Sequence, residues 1–407
     1  MTRARILADY VAGGTTAAEF DYLDGVTSNV QTQMDTKAPS ASPTFTGTTT
    51  VSGDLVPATP LSHRNIIING AMQVSQRGTS FTSVTASAYH LDRFQTVLSS
   101  IGTYTVTQDT SAPAGFKNSY KIACTGANSS IGTGDAGVVY YYFEGQDVQH
   151  LQYNLSSALT TTLSFWIKAK ETGNYQVNLV GNNRQIGKTY TVNVADTWEK
   201  KTVTFAGDTG GDWSNSNQNT GGRIEWWLEG GTDFTSGAVP TSWEATSTPD
   251  RNAGQTAQKI GADTANYWQI TGVQWELGSN ATPFEHRSHK DELLRCQRYY
   301  YVIVDQISGN PVSFANTGVY HTNLTYFYIG FPVQMRSAPS YVQVSGSNYY
   351  AFYANSTSHH ASGFTSDCSN VNSIRLNNSN GTMPAIGYPG WWQSVNDGAF
   401  MAVNAEL

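Results

Sequence analysis

The chain has 407 residues, a formal net charge of −7 and only 13% charged residues. That balance argues against a general nucleic-acid binder, which would show a basic patch, and 12% aromatic residues argue against a disordered chain. With 38 Gly, 23 Tyr and 10 Trp beside abundant Thr and Val, the composition reads as a mainly β protein of about two or three domains.

Residues 1–14 read as an attachment segment, with no continuous apolar core of the kind a signal peptide needs. Residues 15–62 read as a stalk. A first helix starts at Thr15 or Thr16, where Glu19 completes a capping box from Thr16. Phe20 and Leu23 share its apolar side, and Gly25 stops it. A second helix runs from Thr27 or Ser28 to about Lys37, and its apolar side chains between those points are Val30 and Met34, one turn apart. A helix this short is marginal alone, and so narrow a stripe belongs to a helix that meets copies of itself. The stalk therefore predicts an oligomer. Pro39 and Pro43 exclude further helix. The following TFTGTTTVSGDLVPATP alternates apolar and polar residues, with Phe45 placed to insert between chains. Pro57 to Pro60 marks the boundary.

Strand signals then recur over 63–290: RNIIING, FQTVLS, TYTVTQ, SYKIACT, GVVYYYFEG, TTLSFWIKA, YQVNLVG, TYTVNV, KKTVTFAG, RIEWWLEG and YWQITGVQWELG. Many short strands at this spacing predict a sandwich or barrel. Asp291 to Tyr300 reads as a short amphipathic helix with Leu293 and Leu294 turned inward. Residues 291–407 read as a second, smaller β domain with the densest aromatics in the chain. Cys124, Cys296 and Cys368 are too sparse for a disulfide framework and read as buried thiols. With no stretch of about 18 apolar residues, membrane insertion is not expected.

The residues offer three kinds of candidate site. For glycan cleavage, Glu225 and Glu229 flank Trp226 and Trp227, and Glu276 follows Trp275; spacing of two places Glu225, Trp227 and Glu229 on one strand face. Loop capping is the plainer use of such carboxylates, and the expectation is a protein that is not an enzyme. For metal, His359 and His360 are adjacent and so face opposite sides of a strand, with Asp367 and Cys368 near. Asp208, Asp212 and Asp233 lie in Gly-rich loops without a calcium-loop pattern. No metal or cofactor is expected. For surface recognition, the candidates are Tyr349, Tyr350, Phe352 and Tyr353 with Asn348 and Asn355, and Tyr388, Trp391 and Trp392 in GYPGWWQ. Core packing is the alternative for the tyrosines. Consecutive tryptophans cannot both face one core, so one of Trp391 and Trp392 must be exposed or at a subunit interface.

The segment AEFDYLDGVTSNVQTQMDTKAPSASPTFTG resembles the stalk repeat of tailed-bacteriophage tail fibres, and covers about the first eighth of the chain. NIIINGAMQVSQRG, from Asn65 to Gly78, is similar to the opening of a β-sandwich domain common in phage fibres, and ITGVQWELGSNATPFEHRSHKDELLRCQRYY resembles its closing strand and exit. SFWIKAKETGNYQVNLVGNN with TWEKKTVTFAG, including Trp198, resembles the jelly roll of carbohydrate-binding modules. These resemblances imply a homotrimer with an intertwined helical and β stalk, a central jelly-roll β-sandwich and a C-terminal β tip. They imply attachment to another virion tail protein through the N-terminus, assembly in the host cytoplasm, and contact with a host polysaccharide or lipopolysaccharide at the tip. A virion-associated polysaccharide depolymerase and a purely structural tail protein are the alternatives.

Overall fold

A computed structural model describes residues 62–407 apart from 212, 214–216, 258, 307–309 and 379–380. The stalk expectations, Phe20, Leu23, Val30, Met34 and Phe45 among them, lie outside the described residues.

Strand alternation builds a two-sheet sandwich. In Thr161–Ala169, Leu163, Phe165, Ile167 and Ala169 enter the core while Trp166 and Lys168 face outward, the period of two that a half-buried strand requires. One sheet has six strands in the spatial order Ser80–Val84, Gly102–Asp109, Ser119–Ala127, Tyr267–Leu277, Thr161–Ala169 and Glu199–Phe205. The other has seven: Glu244–Ala245, Arg184–Val192, Gly173–Val180, Thr220–Gly230, Ala136–Glu144, Phe94–Ser99 and Ala88–Leu91. Phe94, Tyr141, Phe165 and Trp226 interlock between the sheets. Glu199–Phe205, the strand that follows Trp198, pairs with Thr161–Ala169 along its whole length.

RNIIING is not a strand. Its asparagines supply from side chains what a ladder would supply from backbone. Asn65 Oδ1 accepts the N–H groups of Ile67 and Trp275 at 3.0 and 3.1 Å, and its Nδ2 donates to Val273 O at 3.0 Å. It thereby ties down the strand Tyr267–Leu277 where its register shifts between Thr271 and Gln274. Within that shift Gly272 adopts φ +61°, and a Cβ there would meet Phe116 Cζ at 2.7 Å, so glycine is required. Asn69 bonds in the same manner to Val74 N, Val74 O and Asp92 O.

The predicted helix spans His289–Gln297, capped by Ser288, whose hydroxyl accepts Asp291 N–H. Its buried face carries Glu292 and Cys296, not Leu293 and Leu294, which are half-buried. A carboxylate is tolerated there because Glu292 accepts Asn69 N–H and lies 3.6 Å from Arg287. Of the three thiols, Cys124 and Cys296 are buried, whereas Cys368 is exposed, on an outer strand.

Beyond the helix lie two more sheets. Three strands, Tyr300–Asp305, Phe400–Asn404 and Ser340–Val344, form one. Seven form the other, in the order Thr357–Ala361, Tyr350–Ala354, Pro389–Ser394, Ser313–His321, Leu324–Gly330, Ser373–Asn378 and Phe364–Ser369. Its two edge strands are joined by Ser362 and Gly363 alone, so the sheet curls until its edges approach. Tyr350, Phe352, Phe364, Phe327 and Trp392 fill the inside.

Charged groups join this second core to the sandwich. Arg298 forms a fork onto Glu144 at 2.7 and 2.8 Å, and Tyr299 Oη donates to the same carboxylate at 2.6 Å. Arg93, fully buried, pairs with Glu406 and lies 3.4 Å from the Tyr299 ring centroid. Arg336 donates to the carbonyls of Ala405, Glu406 and Gln218. Glu144→Ala removes the acceptor of Arg298 and Tyr299 together, and is expected to cost about 3 kcal/mol. Urea unfolding checks this; an unchanged midpoint would show that apolar contacts alone hold the junction.

Candidate functional site

The strands of the seven-stranded sheet sort their rings by parity. In Pro389–Ser394, Trp392 points inward with no exposure, and its Nε1 donates to Thr325 Oγ1 at 3.0 Å. Trp391 therefore points outward and is 44% exposed. In Tyr350–Ala354, Tyr350 and Phe352 are fully buried and Tyr353 faces outward. Tyr353 is in register with Trp391 on the neighbouring strand, and the two rings lie 5.5 Å apart at 14°. They form one aromatic surface.

The proposed recognition set thus divides. Tyr388 and Trp391 are exposed, Tyr353 is half-buried on the outer face beneath Trp391, and Tyr349 is half-buried against Gly346. Tyr350, Phe352 and Trp392 are corrected to core residues, because the outward phase of their strands belongs to the alternate positions. Asn348 and Asn355 are exposed turn residues with positive φ; Asn355 and Ser356, at 51° and 59°, make the two-residue hairpin turn that suits asparagine.

The outer face extends further than the sequence reading placed it. Asn316 lies in register with Trp391. One strand further on, Leu324–Gly330 sends Tyr326 and Tyr328 outward and Phe327 and Ile329 inward. Tyr328 is 65% exposed, and Tyr320, edge-on to Tyr326, is 70% exposed. Arg375, in register with Tyr328, lies over the Tyr326 ring at 5.1 Å and is held by Asp367 through two bonds of 2.8 Å. The run LTYFYIG carried this signal in its alternation of Tyr with Phe and Ile. A surface of rings bordered by amides can stack on apolar sugar faces while the amides take hydroxyl groups.

The catalytic and metal candidates are dispersed. Glu225 is buried on the outer side of the sandwich, with Arg223 Nε 2.7 Å and Arg251 Nη1 3.7 Å from Oε1 and Trp227 Nε1 2.9 Å from Oε2. Burial raises its pKa, but the two guanidinium charges and the hydrogen bonds outweigh it and hold the carboxyl below its ordinary range. Glu229 does not share that face. The register shift between Trp227 and Glu229 sets it opposite Gly137, where Oε2 accepts Gly261 N–H at 2.8 Å. Burial pushes its carboxyl up to about 7, against the opposing pull of the Gly261 amide. Glu276 is occupied by Gln274 and Thr282 on the other sheet. Asp208 binds Arg184 and Trp213, Asp233 accepts from Thr133, and Asp212 lies outside the described residues. His359 and His360 bond to Thr382 O and Ser358 Oγ. Among the described residues no group of three or more His, Cys, Asp or Glu could hold a metal ion.

No family model and no curated protein matches the chain. Among solved structures, it is similar to the enzymatically active domain of tailspike protein 4 of bacteriophage CBA120 (12% identity, TM-score 0.27), covering 53% of this chain and 21% of that one. It therefore spans about a fifth of that structure. A CBM4 structure matches at 15% identity and TM-score 0.27, over 52% of this chain and 98% of the other. The family 11 carbohydrate-binding module of a Clostridium thermocellum cellulase matches at 9% identity and TM-score 0.23, over 52% and 95%. At these scores the likenesses assign neither a family nor a ligand.

Two substitutions separate the faces. Trp392→Ala is expected to cost about 3–5 kcal/mol in a urea titration, whereas Trp391→Ala stays within about 0.5 kcal/mol of the parent. Equal losses would contradict the parity assignment.

Glu229 makes stability depend on pH. Its folded pKa, about 7, is above the ordinary 4.5. Its contribution is therefore fully present below 4.5 and is lost as pH rises through 7, a change of roughly 3 kcal/mol. Urea midpoints measured at about pH 5 and about pH 8 should fall for the parent and fall less for Glu229→Gln.

Proposed function

We propose that the protein is a trimeric phage tail-fibre adhesin that attaches the virion to a glycan on the host cell surface. The stalk motif from Ala18 to Gly47 supports the fibre reading. The observation that carries the glycan reading is the near-parallel pair on the outer face, exposed Trp391 stacked with half-buried Tyr353, with Asn316 alongside. The binding step is stacking of an apolar sugar face on the shared ring surface, with hydroxyl groups taken by Asn316 and Gln393; Gln393 Oε1 already lies 3.4 Å from Trp391 Nε1. A single stacked ring contributes on the order of 1 kcal/mol. Three such sites on one trimer, and several trimers on one particle, make attachment firm by avidity.

The reading is of a binder and not a depolymerase, supported by Glu225 being held by its arginines as a structural carboxylate. The N-terminal segment is the part read as joining a partner tail protein, and the sandwich as the spacer between them.

Adsorption to host cells tests this reading. Purified full-length protein should block virion adsorption and release no new reducing ends from surface polysaccharide. Trp391→Ala should weaken the block at least about tenfold while keeping the parent's mass in light scattering. Release of reducing ends would mean an enzyme; an unaffected block would place recognition elsewhere.

A further inference from the structure

The outer face of the seven-stranded sheet also carries information on charge. From Tyr300 to Leu407 the chain has no lysine and two arginines, Arg336 and Arg375. Both are spent on acceptors of this same chain. Arg336 is taken by three backbone carbonyls at the junction with the sandwich, away from the ring face. Arg375 is on the ring face itself, but both Nε and Nη2 are bound by Asp367 at 2.8 Å, and Nη1 lies 3.3 Å from Tyr328 Oη. The Nε–Nη2 edge of its planar fork, the geometry that would recognise a carboxylate, phosphate or sulfate, is filled by Asp367. What remains is the guanidinium over the Tyr326 and Tyr328 rings, 5.1 and 5.9 Å from their centroids. The ion pair braces the rings.

The other polar groups on the face are amides and hydroxyls, with two exposed histidines toward its margins, His360 beside Ser358 and His321 opposite Leu324. Asn316, Gln393, Asn377 and Thr365 occupy its outward positions, and Thr365 Oγ1 is bonded to Asn377 Oδ1 at 2.7 Å. Amide and hydroxyl groups suit sugar hydroxyls and acetamido groups. Among the described residues of the row, an anionic glycan brought here would meet Asp367 with no lysine and no unpaired arginine to answer it, and would lose its hydration with little compensation.

The rings also have an extent. Tyr353, Trp391, Asn316 and Tyr328 stand on four successive strands, with Arg375 on the fifth. At about 4.8 Å per strand the row is roughly 19 Å long, enough for several sugar rings laid across the strands.

Resting on the reading of this face as the receptor site, we propose that its ligand is an uncharged polysaccharide, built of neutral hexoses or N-acetylated amino sugars, bound as an extended segment. Asp367 acts as a selectivity residue: by occupying Arg375 it takes up the arginine of the described face that would admit acidic glycans.

The test is retention of full-length protein on an array of purified bacterial surface polysaccharides of known composition, between about 50 and 500 mM salt. The parent should be retained by polymers without uronate, phosphate or sulfate, with less than about a twofold change over that salt range, and Trp391→Ala should remove the retention. Asp367→Asn frees the guanidinium and should add retention on acidic polymers that salt abolishes. Parent retention on acidic polymers that falls about tenfold with salt and still depends on Trp391 would overturn the neutral-ligand inference while leaving the adhesin reading intact. A folded Asp367→Asn protein with unchanged selectivity would overturn the role given to Asp367. Retention unaffected by Trp391→Ala, or none on any polymer, would overturn both the adhesin reading and this inference.

Discussion

Arg93 sits wholly inside the protein, on the sandwich, and the carboxylate that answers it comes from Glu406, next to the end of the chain. A buried guanidinium without a partner is strongly destabilising, so the sandwich is complete only when the last strand has returned to it. The same junction holds Arg298 on Glu144, Tyr299 on both Arg93 and Glu144, and Arg336 on the carbonyls of Ala405 and Glu406. These bonds are directional where apolar contacts are not, and they fix how the C-terminal sheets stand on the sandwich. Exposed rings then lie on a platform anchored at both ends of its chain.

Within that platform the two phases of each strand serve different ends. Inward positions take Tyr350, Phe352, Phe364 and Trp392, whose edge-to-face and tilted contacts fill the curl of the sheet. Outward positions take Tyr353, Trp391, Tyr326 and Tyr328, with amides between. Packing on one face makes the other rigid, and a rigid ring surface binds with little loss of conformational freedom.

The carboxylates show how environment separates residues that the sequence pairs. Glu225 and Glu229 are four residues apart on one strand, yet the first is held ionised by two arginines and the second is pushed up to about 7 by burial. One residue of register shift is responsible, because it moves Glu229 off the face that holds the arginines. The expectation of a shared carboxylate face assumed unbroken alternation.

Much of the architecture was legible in the residues. Period-two patterns located most strands of the sandwich, and the helix near Asp291 was legible too, but not Ser80–Val84, Ala88–Leu91, Ser313–His321, Thr357–Ala361, Phe364–Ser369 or Pro389–Ser394, whose Gly, Ser, Asn and His residues read as loop. RNIIING misled because its composition is that of a strand while its asparagine side chains replace the ladder bonds. The sequence by itself determined that Trp391 and Trp392 oppose each other, since adjacent residues of a strand face opposite ways. Which of them is inside was decided only by tertiary structure: parity is a local property of backbone geometry, but the side that becomes core depends on what packs against it. Here Phe352, Phe364 and Thr325, brought from distant strands, enclose Trp392 and leave Trp391 in solvent.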